Sequence, residues 1–100
     1  MQIFTTTRNK KDAEKIADVL VKNKLAACVQ ILGPIESIYK WKGKIEKSKE
    51  WLCLIKTKSE KYKKIEKTIK SLHSYEVPEI IALPIEKGNV KYFKWVDEQL

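Results

Sequence analysis

Apolar positions along the chain change their period repeatedly, and each change marks an element. Ile3 and Phe4, followed by Thr5, Thr6 and Thr7, form a β-branched and aromatic run of the kind that makes a short strand. Asn9, with Asp12 three positions on, supplies an N-cap. Ala13, Ile16, Ala17 and Leu20 then recur at i, i+3, i+4 and i+7, giving a helix one apolar stripe that ends at Asn23-Lys24. From Ala26 to Leu32 the chain is apolar and β-rich. It breaks at Gly33-Pro34, where a bulge or bend is expected, and resumes with strand alternation from Ile35 to Trp41. Lys42-Gly43-Lys44 reads as a hairpin turn into Ile45 and a second long strand that includes Glu50 to Thr57.

Ser59 is placed to cap the next helix, with Glu60 in its first turn. Tyr62, Ile65, Ile69 and Leu72 share one face of that helix, and His73 falls at its end. Ile80-Ile81-Ala82-Leu83 is apolar on both sides, which predicts a strand in the sheet interior that Pro84 closes. Asn89 caps a short terminal helix carrying Tyr92, Phe93, Trp95, Val96 and Leu100. The order is βαββαβ plus a C-terminal helix, which predicts an α+β fold: a ferredoxin-like sandwich in one domain over residues 1–100. Two helices cover one sheet face only, yet the hairpin offers Tyr39, Trp41 and Trp51 besides more aliphatic residues than one face can use. An uncovered apolar face marks association, so a homo-oligomer is expected, with the long hairpin reaching a neighbour.

Composition narrows the class. One hundred residues at 43% hydrophobic content fit a single core. No apolar run approaches the roughly 20 residues that span a bilayer. No charged-then-apolar secretory segment opens the chain, so no membrane partner is expected and a cytoplasmic location is. The net charge of +8 comes from 21 Lys+Arg against 13 Asp+Glu, and Arg8 is the single arginine. Lysine lacks the planar fork that grips phosphates and base edges, so this surface argues for solubility or thermal adaptation and against nucleic acid. Cys28 and Cys53 belong to no CxxC pair, and each reads as a small buried apolar side chain.

Candidate chemistry is sparse. With three glycines in the chain there is no phosphate-cradling loop, and no Ser-His-Asp set or HExxH stretch, so no enzymatic activity is expected. Glu76 and Glu79 bracket Val77-Pro78, but acid–base work needs convergence in a cleft. The simpler expectation is that Pro78 shapes entry into the strand while the glutamates meet another subunit. Tyr39, Trp41 and Trp51 could stack bases on an open sheet, but their place in the hairpin argues for burial between subunits instead. Lys40, Lys42, Lys44, Lys47 and Lys49 make a solvated basic tip. His73, the sole histidine, is either one ligand of a metal site or a histidine held by the helix C-terminus and the loop after it.

Several segments together resemble a known family. Lys24-Leu25-Ala26-Ala27-Cys28-Val29, Ser37-Ile38-Tyr39-Lys40-Trp41-Lys42-Gly43-Lys44-Ile45, Leu54-Ile55-Lys56-Thr57 and Leu72-His73-Ser74-Tyr75-Glu76-Val77-Pro78-Glu79-Ile80-Ile81 are similar to the CutA family of divalent-cation tolerance proteins, in order and across the whole chain. The resemblance implies a homotrimer of ferredoxin-like subunits, shaped like the PII signalling proteins, with Tyr39, Trp41, Trp51, Tyr75 and Pro78 in its interface. It also implies a role in tolerance of copper or another divalent cation, with His73 carried over from the family's site and Cys28 the other family-matching soft ligand; a trimer would bring three such histidines near each other at subunit boundaries, with Glu76 or Tyr75 beside them. Departures touch that role: Lys42 stands where the family's turn has a glutamate, Ser74 replaces a proline, and Thr5 and Leu72 occupy positions where some members have a cysteine and a second histidine. The alternative implied by shape is a regulatory trimer holding a small anionic ligand or a partner protein in clefts between subunits, where the lysines would help.

Overall fold

In the computed structural model, which describes residues 1–100, the chain runs β1 (Gln2–Thr7), α1 (Lys10–Lys22), β2 (Cys28–Trp41), β3 (Lys44–Lys56), α2 (Tyr62–Leu72), β4 (Ile80–Leu83) and α3 (Val90–Gln99). The sheet order is β2-β3-β1-β4 and every pairing is antiparallel. Each βαβ unit leaves a gap that one strand of the other unit fills, the split arrangement of a ferredoxin-like βαββαβ chain. No helix is long and apolar enough to cross a membrane.

Local signals act much as the sequence predicts. Asn9 Oδ1 accepts the Asp12 N–H at 2.7 Å and opens α1. At the other end Lys24 takes φ 57°, so that Leu25 N–H reaches Leu20 O at 2.9 Å and Lys24 N–H reaches Val21 O at 3.1 Å, a Schellman ending with lysine in glycine's usual place. One expected cap does not form. Ser59 Oγ lies 2.9 Å from Glu60 Oε1, residues 59–61 make a 3-10 turn, and α2 starts at Tyr62. The hydroxyl is spent on its neighbour's carboxylate instead of a backbone amide.

The core lies between α1, α2 and one sheet face. Ile3, Ile16, Leu20, Ile55, Ile65 and Ile69 are fully buried there, each contributing roughly 1.5–3 kcal/mol of apolar burial. Cys53 joins them, and burial pushes its thiol up to about 11, as suits a small apolar core residue. Cys28 is only half-buried, opposite Lys56, and both cysteines are free.

β4 departs from expectation. Its apolar run predicts an interior strand, but β3 occupies the inner side of β1, so β4 sits at the sheet edge with β1 as its one neighbour. Ile80 and Ala82 pack on the core, whereas Ile81 and Leu83 stand on the opposite face, 49% and 53% exposed.

The bulge at Gly33-Pro34 sets the geometry that matters most. Pairing steps from Leu32–Leu52 to Ile35–Glu50, so β2 carries one extra residue, and because side chains alternate, its phase reverses. Before the bulge Val29 and Ile31 pack against the core; beyond it Ile35, Ser37, Tyr39 and Trp41 align with Glu50, on the helix-free side that Leu52 and Leu54 share. Trp51 faces the other way and packs against the core, with its indole against Gly33, where any Cβ would collide with the ring. Since β1 pairs only with residues 51–56, the rest of the hairpin projects as a two-stranded ribbon, and the molecule measures 45 × 26 × 22 Å. Lys42 and Gly43, at φ 51° and 79°, form the two-residue turn at its tip.

Candidate functional site

The segment leaving α2 is pinned to the sheet by three side chains. His73 N–H caps the helix on Ile69 O at 2.9 Å. Its ring then closes two further bonds: Nδ1 accepts the Tyr75 backbone N–H at 3.0 Å, which leaves Nε2 to donate to Thr6 O at 2.7 Å. Those contacts assign the neutral Nε2–H tautomer. The two rings lie 4.9 Å apart, and the Tyr75 hydroxyl donates to Glu50 Oε2 at 2.9 Å.

Glu50 is 7% exposed and takes part in no ion pair. Burial first, then the hydrogen bond to Glu50 and its negative charge, hold the Tyr75 phenol well above the ordinary tyrosine range; Tyr39 adds to the shift and Arg8 opposes it. The phenol therefore stays protonated at neutral pH and remains a donor to the carboxylate.

Beside this pair lies a cavity of about 710 Å³ between the hairpin ribbon and the loop after α2. Tyr39, Trp41 and Ser37 wall it from β2, Glu50 from β3, Thr6 from β1, and Tyr75, Glu76 and Glu79 from the loop. None of its lining residues is Lys or Arg. In a chain of +8 net charge that sign is wrong for the anionic ligand the lysine-rich composition suggests.

A family model described as CutA1 divalent ion tolerance protein matches residues 1–99. The chain belongs to the CutA1 family. It is 44% identical to the divalent-cation tolerance protein CutA of Archaeoglobus fulgidus, over 96% of this chain and 93% of that one. Human Protein CutA is 48% identical over 93% of this chain. The chain spans about half the length of the mouse and human relatives, 54% and 52%. Among solved structures, the periplasmic divalent cation tolerance protein CutA of Archaeoglobus fulgidus superposes with a TM-score of 0.95 at 43% identity, covering 98% of this chain and 95% of that one. The Cut A1 protein of Thermus thermophilus does so with a TM-score of 0.95 at 40% identity, covering 99% and 98%.

A single chain does not bring together the three candidate metal ligands, His73, Cys28 and Glu76. Both ring nitrogens of His73 are committed, Glu76 is exposed on the loop two residues beyond Ser74, and Cys28 sits opposite Lys56 in the row of Gln2, two strands away from β1 and a further four strand residues, or roughly 13 Å, along the sheet from Thr6. No group of three or more His, Cys, Asp and Glu side chains converges to hold an ion. Within one chain these residues do not fit a copper centre.

Of the residues expected in an interface, Tyr39 and Trp41 are 44% and 47% exposed, Tyr75 and Pro78 are half-buried, and Trp51 is occupied by the intrachain core. The structure thus gathers Tyr39, Trp41 and Tyr75, all expected in an interface, around one cavity with Glu76, the candidate metal ligand. Glu50 is the site residue that sequence reasoning missed. Its signal was present: it occupies the same strand phase as Leu52 and Leu54, a carboxylate in an apolar alternation.

Proposed function

We propose that this CutA1 chain works as a non-enzymatic homotrimer in the cytoplasm and contributes to tolerance of divalent cations, copper among them. The observation that supports it is the sheet face no helix covers. Leu32, Ile81 and Leu83 are about half exposed there, next to Phe4, Leu52 and Leu54, and the ribbon projects with Ile38 and Ile45 61% and 72% exposed. An isolated two-stranded ribbon is marginal in water, and an apolar face of this extent calls for copies of the chain to cover it. Two free cysteines fit a reducing compartment. An ion would need ligands from more than one copy, since one chain assembles none. The test is calorimetric titration of the metal-free protein with Cu(II), beside His73→Ala and His73→Gln. Saturable binding at a fixed fraction of an ion per chain, lost in both variants, supports the reading; binding unchanged in both removes His73 from it.

A second reading, a regulatory trimer of PII-like shape that holds a small ligand, is favoured by the cavity at Glu50. A thermal shift produced by a small molecule in metal-free buffer would support it over the first.

A further inference from the structure

We propose that the outer face of α2 is a binding surface for a linear oligophosphate, a chain of phosphate groups without bases. The proposal goes beyond the metal and cleft-ligand readings and rests on neither.

Position is the first reason. α2 turns Ile65 and Ile69 into the core between the helices and the sheet, so its outer face lies on the opposite side of the molecule from the helix-free sheet. Lys63, Lys64 and Lys67 are exposed there and, with Thr68 and Ser71, line an open recess of about 610 Å³. No acidic or apolar side chain enters that lining. A second copy of the chain meets this face with the wrong sign, since each carries +8 and the ribbon tip is itself rich in lysine.

The second reason is charge left without a counter-ion. α2 holds Lys63, Lys64, Lys67 and Lys70 against the single acid Glu66. Glu66 is already engaged, accepting from the Tyr62 hydroxyl at 2.9 Å and lying 3.9 Å from Lys70. Lys63, Lys64 and Lys67 pair with no carboxylate. Lys67 follows Lys63 by four residues and Lys64 by three, spacings at which like charges oppose the helix. A surface adapted only for solubility or heat intersperses the signs, as α1 does with Asp12, Glu14 and Asp18 among its lysines. α2 keeps a repulsion that a bound anion would relieve.

The third reason is the kind of donor. The Thr68 hydroxyl donates to Lys64 O at 2.8 Å and the Ser71 hydroxyl to Thr68 O at 2.7 Å, which leaves the ammonium groups to meet a ligand. An ammonium is a point charge that suits phosphate oxygens and lacks the planar fork that reads base edges. With no apolar side chain in the recess, neither an amphipathic peptide nor a bilayer finds an anchor. From Lys63 to Lys70 the helix rises roughly 10 Å, so the charges form a row, matched to several phosphates in a chain and not to one.

Calorimetric titration of the intact protein with sodium tripolyphosphate in metal-free buffer at pH 7 tests this, beside orthophosphate, a thymidine oligonucleotide and phosphatidylserine vesicles. Saturable tripolyphosphate binding, roughly tenfold tighter than orthophosphate and weakening as salt rises, is expected. Lys64→Gln combined with Lys67→Gln should weaken it roughly tenfold. Lys11→Gln combined with Lys15→Gln, which removes the same charge from α1, should leave it nearly unchanged. No saturable binding, equal loss in the two double variants, or orthophosphate binding as tight as tripolyphosphate would overturn the proposal. So would tighter binding of the oligonucleotide or the vesicles that is lost in the α2 variant, which would give the face to nucleic acid or to a membrane. All four lysines are exposed, so both variants should keep the melting temperature of a folded chain. Light scattering and Cu(II) titration of the same samples separate this outcome from failure of the trimer or of the metal reading.

Discussion

Tyr75 and Glu50, 25 positions apart, meet at 2.9 Å across the junction between the loop after α2 and the base of the β3 ribbon. The bond fixes the loop by its middle, while His73 fixes it by its start. Removing the donor leaves a buried carboxylate oxygen without a partner. Tyr75→Phe should therefore destabilise the fold by about 1–3 kcal/mol, read as a lower midpoint in guanidinium unfolding with an unchanged slope.

Alkaline pH should expose the same bond. A phenol whose pKa rises on folding keeps its proton in the folded chain where the unfolded chain begins to lose it. Its stabilisation is fully present below the unfolded value of about 10 and is lost as pH climbs from there through the folded value. Unfolding free energy measured from pH 8 to 11.5 should fall above pH 10, and less steeply in Tyr75→Phe; equal slopes would show that Tyr75 does not carry the effect.

Thr5 is fully buried opposite Cys53, and its hydroxyl finds no hydrogen-bond partner. Valine has nearly the same shape without the stranded oxygen. Thr5→Val is expected to stabilise the chain by about 1 kcal/mol, visible as a higher melting temperature at the same ellipticity.

Lys24 holds the left-handed position that ends α1, at φ 57°. Glycine adopts that conformation without steric penalty, so Lys24→Gly should raise stability by roughly 0.5–1 kcal/mol, although it introduces glycine next to a helix. A loss of stability in urea unfolding would mean that the Lys24 side chain makes a contribution the backbone geometry does not reveal.

Local chemistry made most of the fold legible. The Asn9 cap, the stripe of Ile16 and Leu20, the Gly33-Pro34 bulge and the Lys42-Gly43 turn are decided within a few residues, and each formed where its sequence placed it. The edge position of β4 was hidden because its apolarity on both faces reflects a surface left open in one chain, not a neighbour on each side. Trp51 parts from Tyr39 and Trp41 because the one-residue bulge reverses phase on β2 alone, so β3 keeps Trp51 on the core side while Tyr39 and Trp41 fall on the other. The cavity escaped notice for a related reason: Glu50 and Tyr75 meet only through the fold-back after α2, and Tyr39 and Trp41 share their side of the ribbon only because of the bulge.

Trp41 is 47% exposed near the ribbon tip. If copies of the chain cover the ribbon, Trp41→Glu would leave an unpaired charge in a desolvated contact and shift the assembly toward smaller species at micromolar concentration. Analytical ultracentrifugation would report that shift; an unchanged sedimentation coefficient would take Trp41 out of the interface.

The most direct measurement is the molar mass of the purified protein in solution by multi-angle light scattering, across a hundredfold range of concentration. The proposed homotrimer, with the helix-free face buried between copies of the chain, predicts a constant mass three times that of the 11.7 kDa chain. A mass of one chain at every concentration would contradict it and leave Phe4, Leu54, Ile81 and Leu83 as an open surface.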